Sequence, residues 1–251
     1  MQDNMKVSII TVTYNSERFL QDCIDSVLNQ TYSNIEYIII DGGSTDRTID
    51  IVKTYGKGIS RVISEADGGI YDAMNKGISL STGDVIGFLN SDDFYIDQTV
   101  LAKVADLFDR TQSDAIYADL LYVDSINTNK VVRRWKSGSY NRKKFAFGWM
   151  PPHPTFFVKR KVLHEYGHFN LSFKTASDYE LMLRLLFKNR ISAAYLPEYI
   201  VKMRIGGLSN SSLRHRLFAN REDGRAWKVN GLKPYFFTTI LKPLRKVFQY
   251  L

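Results

Sequence analysis

Short apolar runs alternate with stretches in which apolar residues recur every three or four positions along the first ninety residues. Lys6 to Thr13 (KVSIITVT), Ile35 to Ile40 (IEYIII), Arg61 to Ser64 (RVIS) and Val85 to Leu89 (VIGFL) predict strands. Between them Phe19, Leu20, Ile24, Val27 and Leu28 fall at helical spacing, with Asn15 or Ser16 as candidate caps. Arg47 to Tyr55 predicts a second helix, started by Ser44 or Thr45, and the stretch ending at Gly77 a third. Strand and helix in repeated alternation mark a mostly parallel sheet with crossover helices.

The second half reads differently. Thr99 to Phe108 predicts an amphipathic helix, and Ala115 to Val123 and Lys130 to Trp135 predict a hairpin, so the sheet becomes mixed here. Pro151-Pro152-His153-Pro154 imposes an extended path, Thr155 to Val158 a short strand, and Lys159 to Tyr166 a helix closed by Gly167. Ser177-Asp178 precede a helix carrying Tyr179, Leu181, Met182, Leu185 and Leu186. Ser192 to Leu196 and Ile200 to Arg204 predict two final strands, and Gly206 to Ser212 a flexible loop. The fold class is therefore α/β: a mixed, mainly parallel sheet flanked by helices, followed by a basic amphipathic tail.

Composition adds bounds. The 251 residues, 44% hydrophobic and 24% charged, suit a soluble globular protein with a full core. A single cysteine, Cys23, on a predicted helix, excludes an internal disulfide and fits a reducing compartment. No signal peptide or membrane-spanning run is expected. The net charge of +8 is uneven: residues 214–251 hold nine Lys/Arg against two Asp/Glu. An anionic surface would meet the tail alone, which argues against a nucleic-acid groove across the body. Lys233 to Leu251 (KPYFFTTILKPLRKVFQYL) mixes aromatic and aliphatic residues with Lys242, Arg245 and Lys246. That composition fits an anionic membrane surface, packing on the domain, or a dimer contact.

Three strands end in polar groups: Thr13-Tyr14-Asn15, Asp41-Gly42-Gly43-Ser44 and Asn90-Ser91-Asp92-Asp93. In a parallel sheet such ends converge on one crevice. Tyr14 can stack on a base, and an aspartate can accept from a base N–H or a ribose hydroxyl. Carboxylates at Asp92 and Asp93 can hold Mg²⁺ or Mn²⁺ on a diphosphate, or merely start a turn or cap a helix. Neither GxGxxG nor GxxxxGK[ST] is present, so no dinucleotide or P-loop site is indicated.

Taken in order, SIITVTYN, EYIIIDGGSTDRT, SEADGGIYDAMNKG and FLNSDDFY resemble the family 2 glycosyltransferases of the GT-A fold. The later HPTFFVKRKVLHEYGHFN and KTASDYELMLRL are similar to bacterial members that build surface polysaccharides. The likeness spans about residues 5 to 210. It implies an inverting, metal-dependent transfer of a sugar from a nucleotide-sugar, UDP-linked rather than GDP-linked, to a glycan acceptor that is lipid-linked or an oligosaccharide. It implies that Thr13, Tyr14, Asn15 and Asp41 line base and ribose. Asp67, Asn75 and Lys76 would close over the donor, and Asn90, Ser91 and Asp92 take the Asp-x-Asp position, with Asp92 the metal ligand. Arg204 would close on the diphosphate with a loop through Gly206, Gly207 and Ser209, and Asp178, alternatively a helix cap, would be the catalytic base. His153 is open between acceptor contact, metal contact and packing, and Trp149 and Met150 between an acceptor wall and core. On this reading residues 1–110 form the donor half, 111–212 the acceptor and base half, and 213–251 the tail, with a cytoplasmic location, peripheral on the inner membrane. Rivals are a polymer synthase, of whose Gln-x-x-Arg-Trp signature Arg225-Ala226-Trp227 is a partial echo, a nucleotide- or glycan-binding module without catalysis, and a nucleotidyltransferase.

Overall fold

A computed structural model describes residues 5–206, 213–235 and 237–238. The first half forms β1 (Val7–Thr13), α1 (Leu20–Leu28), β2 (Ile35–Asp41), α2 (Thr48–Thr54), β3 (Arg61–Ser64), α3 (Ile70–Leu80) and β4 (Val85–Phe88). These four strands are parallel. The apolar runs of β1, β2 and β4 are continuous because helices cover both faces of the sheet there. Val7, Ile9, Tyr37, Ile39 and Val85 pack with Leu20, Cys23, Ile24 and Val27 of α1. Ile10, Val12, Ile38, Ile40, Ile86 and Phe88 pack on the opposite face with Ala73, Met74 and Ile78 of α3. Close approach is obligatory at Gly77, where a Cβ would lie 2.4 Å from Ile10 Cγ2.

The chain continues through β5 (Asp93–Tyr95), α4 (Val100–Thr111), β6 (Ala115–Val123), β7 (Val131–Trp135), β8 (Phe157–Lys159), α5 (Arg160–Tyr166), α6 (Ser177–Met182), β9 (Ala193–Arg204) and α7 (Leu213–Val229). One sheet runs in the order β3-β2-β1-β4-β8-β6-β9-β5, with β7 beside β6. β8 is antiparallel to β4 and β6, and β5 to β9, so the sheet is mixed as expected.

Three details differ from the sequence reading. Asp93 does not cap a helix; it opens β5, paired with Met203. The two final strands are one, β9, and the ladder to β6 skips from Leu196 to Tyr199. Pro197 falls in that bulge, where its missing N–H costs no ladder bond. Residues 153–155 form a 3₁₀ turn, which shifts β8 to Phe157–Lys159.

Within the expected tail, α7 docks on the domain. Ala226 and Trp227 are buried, and Trp227 Nε1 donates to Tyr179 Oη at 2.9 Å. The loop from Gly207 to Ser212 and the tail from 239 onward, with Lys242, Arg245 and Lys246, lie outside the described residues. No helix among the described residues is long and apolar enough to cross a membrane.

Candidate active site

Register brings the first two strand ends together. Thr13 is paired with Asp41, and Asp41 with Ser64. The fully buried Asp41 carboxylate accepts from Gly43 N at 3.2 Å, Ser44 N at 3.0 Å, Ser64 Oγ at 2.6 Å and the Ser44 hydroxyl. Its acceptor capacity is therefore spent on shaping the loop. Ser44 Oγ in turn accepts from Asn15 N at 2.8 Å, and Asn15 Oδ1 from Thr45 N at 2.9 Å. Neither Asn15 nor Ser16 caps α1 through its side chain; both are drawn into this mesh, since Ser16 Oγ accepts from Ser91 Oγ at 2.9 Å. Tyr14 is 63% exposed, with its ring free to stack, and Thr13 Oγ1 is buried without a partner among the described residues.

Asp67 lies against Gly42: a Cβ there would come within 2.8 Å of Asp67 Oδ2. Asp67 Oδ1 accepts from Gly69 N at 2.7 Å. A carboxylate thus covers the position where a side chain at 42 would stand. Lys76 pairs with Glu65 at 2.9 Å and Asp72 at 3.6 Å. Asn75 is turned inward: its Nδ2 donates to Phe169 O and its Oδ1 accepts from Phe169 N, both at 2.9 Å.

Beyond β4 the adjacent acids part company. Asp93 is fully buried, with Oδ2 accepting from Asn90 Nδ2 at 3.2 Å. Burial, and then the neighbouring Asp92 charge, push its carboxyl well above the usual carboxylate range. Asp92 is only half-buried; burial raises it too, against the opposing Arg204. Asn90 Oδ1 and Asp93 Oδ1 are buried without partners among the described residues. Arg204, 4% exposed at the end of β9, donates from Nη1 to Asp92 O at 2.8 Å and pairs with Asp22. Its guanidinium lies 4.6 Å from the ring centroids of both Phe19 and Phe94. Cys23 Sγ donates to Asn90 O at 3.3 Å, and burial pushes that thiol up to about 12. Phe19, Asp22, Cys23 and Phe94 thus hold the 90–93 turn, and of these Phe94 alone lies in a quoted motif, FLNSDDFY.

Asp178 is the second residue of α6 and does not cap it; its Oδ1 accepts from Tyr179 N at 2.8 Å. The loop before it is clasped from α7: Glu222 accepts from the amides of Lys174, Thr175 and Ala176 at 2.7 to 3.2 Å. His153 bridges the two regions. Its ring stacks on Phe88 at 5.6 Å and meets Phe169 edge-on at 5.8 Å. Burial lowers its pKa, against the attraction of Asp178, and its Nε2 has no partner among the described residues. Trp149 and Met150 are core.

Parallel strands whose C-terminal ends gather acids, joined to a half of mixed strand direction that carries a further carboxylate, form an α/β scaffold of the GT-A type. The model of the family described as glycosyl transferase family 2 matches residues 8–170, and the chain belongs to that family. It is 31% identical over 209 residues to the PGL/p-HBAD biosynthesis glycosyltransferase of Mycobacterium bovis BCG, covering 81% of this chain and 79% of that one. It is 32% identical over 186 residues to the hyaluronan synthase of Pasteurella multocida, covering 71% of this chain but 18% of the synthase. Among solved structures it resembles S. aureus TarS 1-349 in complex with UDP-GlcNAc, with a TM-score of 0.71 and 18% identity over 90% of this chain and 65% of that one. It also resembles the mannosyltransferase PcManGT of Pyrobaculum calidifontis in complex with GDP-Man and Mn²⁺, with a TM-score of 0.69 and 17% identity over 96% of this chain and 69% of that one. At these identities the two structural likenesses define the fold.

Proposed function

We propose that this glycosyltransferase transfers a sugar, with inversion and with the help of a divalent cation, from a UDP-sugar to a lipid-linked or oligosaccharide glycan. The observation that carries the reading is the unbalanced cluster after β4. Asp92 is a partly desolvated carboxylate opposed by the charge of Arg204, and Asn90 Oδ1 beside it is buried without a partner among the described residues. Hard oxygens short of positive charge fit Mn²⁺ or Mg²⁺. Asp92 would hold the ion, with Asn90 close by; when bound, it neutralises charge on the leaving diphosphate. Tyr14 stacks on the base, Asp67 takes the polar contact that Asp41 no longer offers, and Lys76 answers the diphosphate. Asp178 accepts the proton of the acceptor hydroxyl as that oxygen bonds to the anomeric carbon and the diphosphate departs.

A peripheral site on the cytoplasmic membrane face suits a lipid-linked acceptor. In support, Phe147 and Tyr235 are exposed at 48% and 61%, and both stack on Phe237. Exposed Lys143 and Lys233 precede Phe147 and Tyr235 in the same two segments.

The test is calorimetric titration with UDP and GDP, with and without Mn²⁺, on the wild type and Asp92→Ala. Metal-dependent UDP binding that the variant loses is expected. Absence of diphosphate binding by the folded wild type would overturn the assignment of this crevice and favour a binding module of another specificity.

A further inference from the structure

The two carboxylate oxygens of Asp178 stand in different circumstances. Oδ1 accepts from Tyr179 N at 2.8 Å and faces the hydroxyl of Tyr71 at 3.4 Å. Oδ2 takes no hydrogen bond among the described residues. Tyr71 comes from the first turn of α3, directly after the Asp67–Gly69 loop that covers Gly42. Its ring stacks on Phe169 at 5.5 Å, and both backbone groups of Phe169 are tied to Asn75. The hydroxyl is therefore carried on a braced arm. Burial, and then the charge of Asp178, push the phenol above its ordinary range, so it remains a proton donor. At 3.4 Å the contact is long for an O–H···O⁻ bond, and bonds of this kind tighten as a site closes on substrate.

We propose that Tyr71 is a positioning residue for the transfer reaction: its hydroxyl, with Tyr179 N, pins Asp178 Oδ1 and leaves Oδ2 as the oxygen that takes the acceptor's proton. The inference rests on the reading of Asp178 as the base. In the step itself the acceptor O–H proton passes to Oδ2 and the acceptor oxygen bonds to the anomeric carbon. The bond from that carbon to the diphosphate oxygen breaks, and Tyr71 keeps its own proton throughout. Asn75 and Phe169 serve the same geometry at one remove, which accounts for an inward-facing amide in a segment that otherwise faces the donor.

The experiment has two arms. In the first, UDP release from UDP-GlcNAc with water as acceptor is followed for the wild type, Asp178→Ala and Tyr71→Phe; the phenylalanine ring preserves the stack on Phe169. Asp178→Ala loses turnover about 100-fold or more. Tyr71→Phe lowers kcat about 10- to 150-fold with the donor KM within about twofold, the size of one lost hydrogen bond to a charged group. Wild-type turnover in Asp178→Ala would overturn the base assignment. Lost turnover there, with an unchanged kcat in Tyr71→Phe, would overturn the role of Tyr71 alone. The second arm needs no substrate. With ¹³Cζ-labelled tyrosine, the Tyr71 signal, assigned by its loss in Tyr71→Phe, moves upfield in Asp178→Ala. An unmoved signal would overturn the proposal whichever sugar is the donor.

Discussion

Replacing Arg204 by lysine separates two roles for the same charge. The sequence places Arg204 beside a loop that would close on a diphosphate, whereas in the structure its guanidinium is enclosed by protein. One charged hydrogen bond runs to Asp92 O at 2.8 Å, worth about 1.5–3 kcal/mol. Phe19 and Phe94 flank the group at 4.6 Å each, adding about 0.5–2 kcal/mol per ring. The Asp22 side chain is 59% exposed, so that pair adds less than about 1 kcal/mol. Lysine keeps the charge, but an ammonium cannot lie flat between two rings and reach both oxygens. Because the contacts are not additive, the expected loss is about 2–4 kcal/mol, or roughly 5–12 °C in Tm for a chain of this size. Urea unfolding without nucleotide measures it, and UDP titration of the same variant measures the consequence for the 90–93 turn. An unchanged unfolding midpoint with UDP affinity reduced tenfold would refute the reasoning and return Arg204 to the diphosphate.

Two further perturbations test the frame and the donor side. Glu36, buried, accepts from Ser8 Oγ at 2.6 Å, Thr82 N and Thr82 Oγ1 at 2.7 Å, and Lys6 Nζ at 3.2 Å. Burial raises its carboxyl, but these bonds outweigh burial and hold it at about 2, against an ordinary 4.5. A depressed folded value stabilises above 4.5 and is lost as pH falls from there toward 2. Glu36→Gln therefore costs about 2–3 kcal/mol at pH 7, and its gap to the wild type narrows by about 1 kcal/mol at pH 3.5. A gap in urea midpoints that stays constant with pH would refute this. Gly42→Ala sets a Cβ 2.8 Å from Asp67 Oδ2 and drives that carboxylate aside. The side chain is partly exposed and can move, so stability changes by less than about 1 kcal/mol while UDP affinity falls about tenfold. Wild-type affinity in this variant would remove Asp67 from the donor site.

How much of this was legible depends on what each feature writes into the chain. Strands buried on both faces write continuous apolar runs, and β1, β2 and β4 stand where KVSIITVT, IEYIII and VIGFL predict them. A three-residue strand such as β5 writes no period, and its partner β9 lies about a hundred residues away. Pro197 reads as a break between two strands, but a bulge absorbs it within one. At the site, chain order identifies which residues gather at the strand ends, because register alone brings Thr13, Asp41 and Ser64 abreast. It does not tell how each oxygen is spent. Asp41 and Asn75 have the chemistry to meet a nucleotide, yet Asp41 accepts from two amides and two hydroxyls of the protein, and Asn75 is bonded through both its oxygen and its nitrogen to the backbone of Phe169. Phe19, Tyr71 and Glu222, to which the chain order assigns no role, act across 46 to 185 positions of separation on Arg204, on Asp178 and on the loop before α6. The acid pair shows the reason most directly. Asp92 and Asp93 are adjacent in the chain, yet Asp92 stays in the turn, within reach of solvent, while Asp93 enters β5 and is sealed beneath it. Two carboxylates that suggest a chelate by composition are, by burial, one accessible carboxylate and one buried acid, so on the proposed reading a cation would rest on Asp92 with the orphaned oxygen of Asn90.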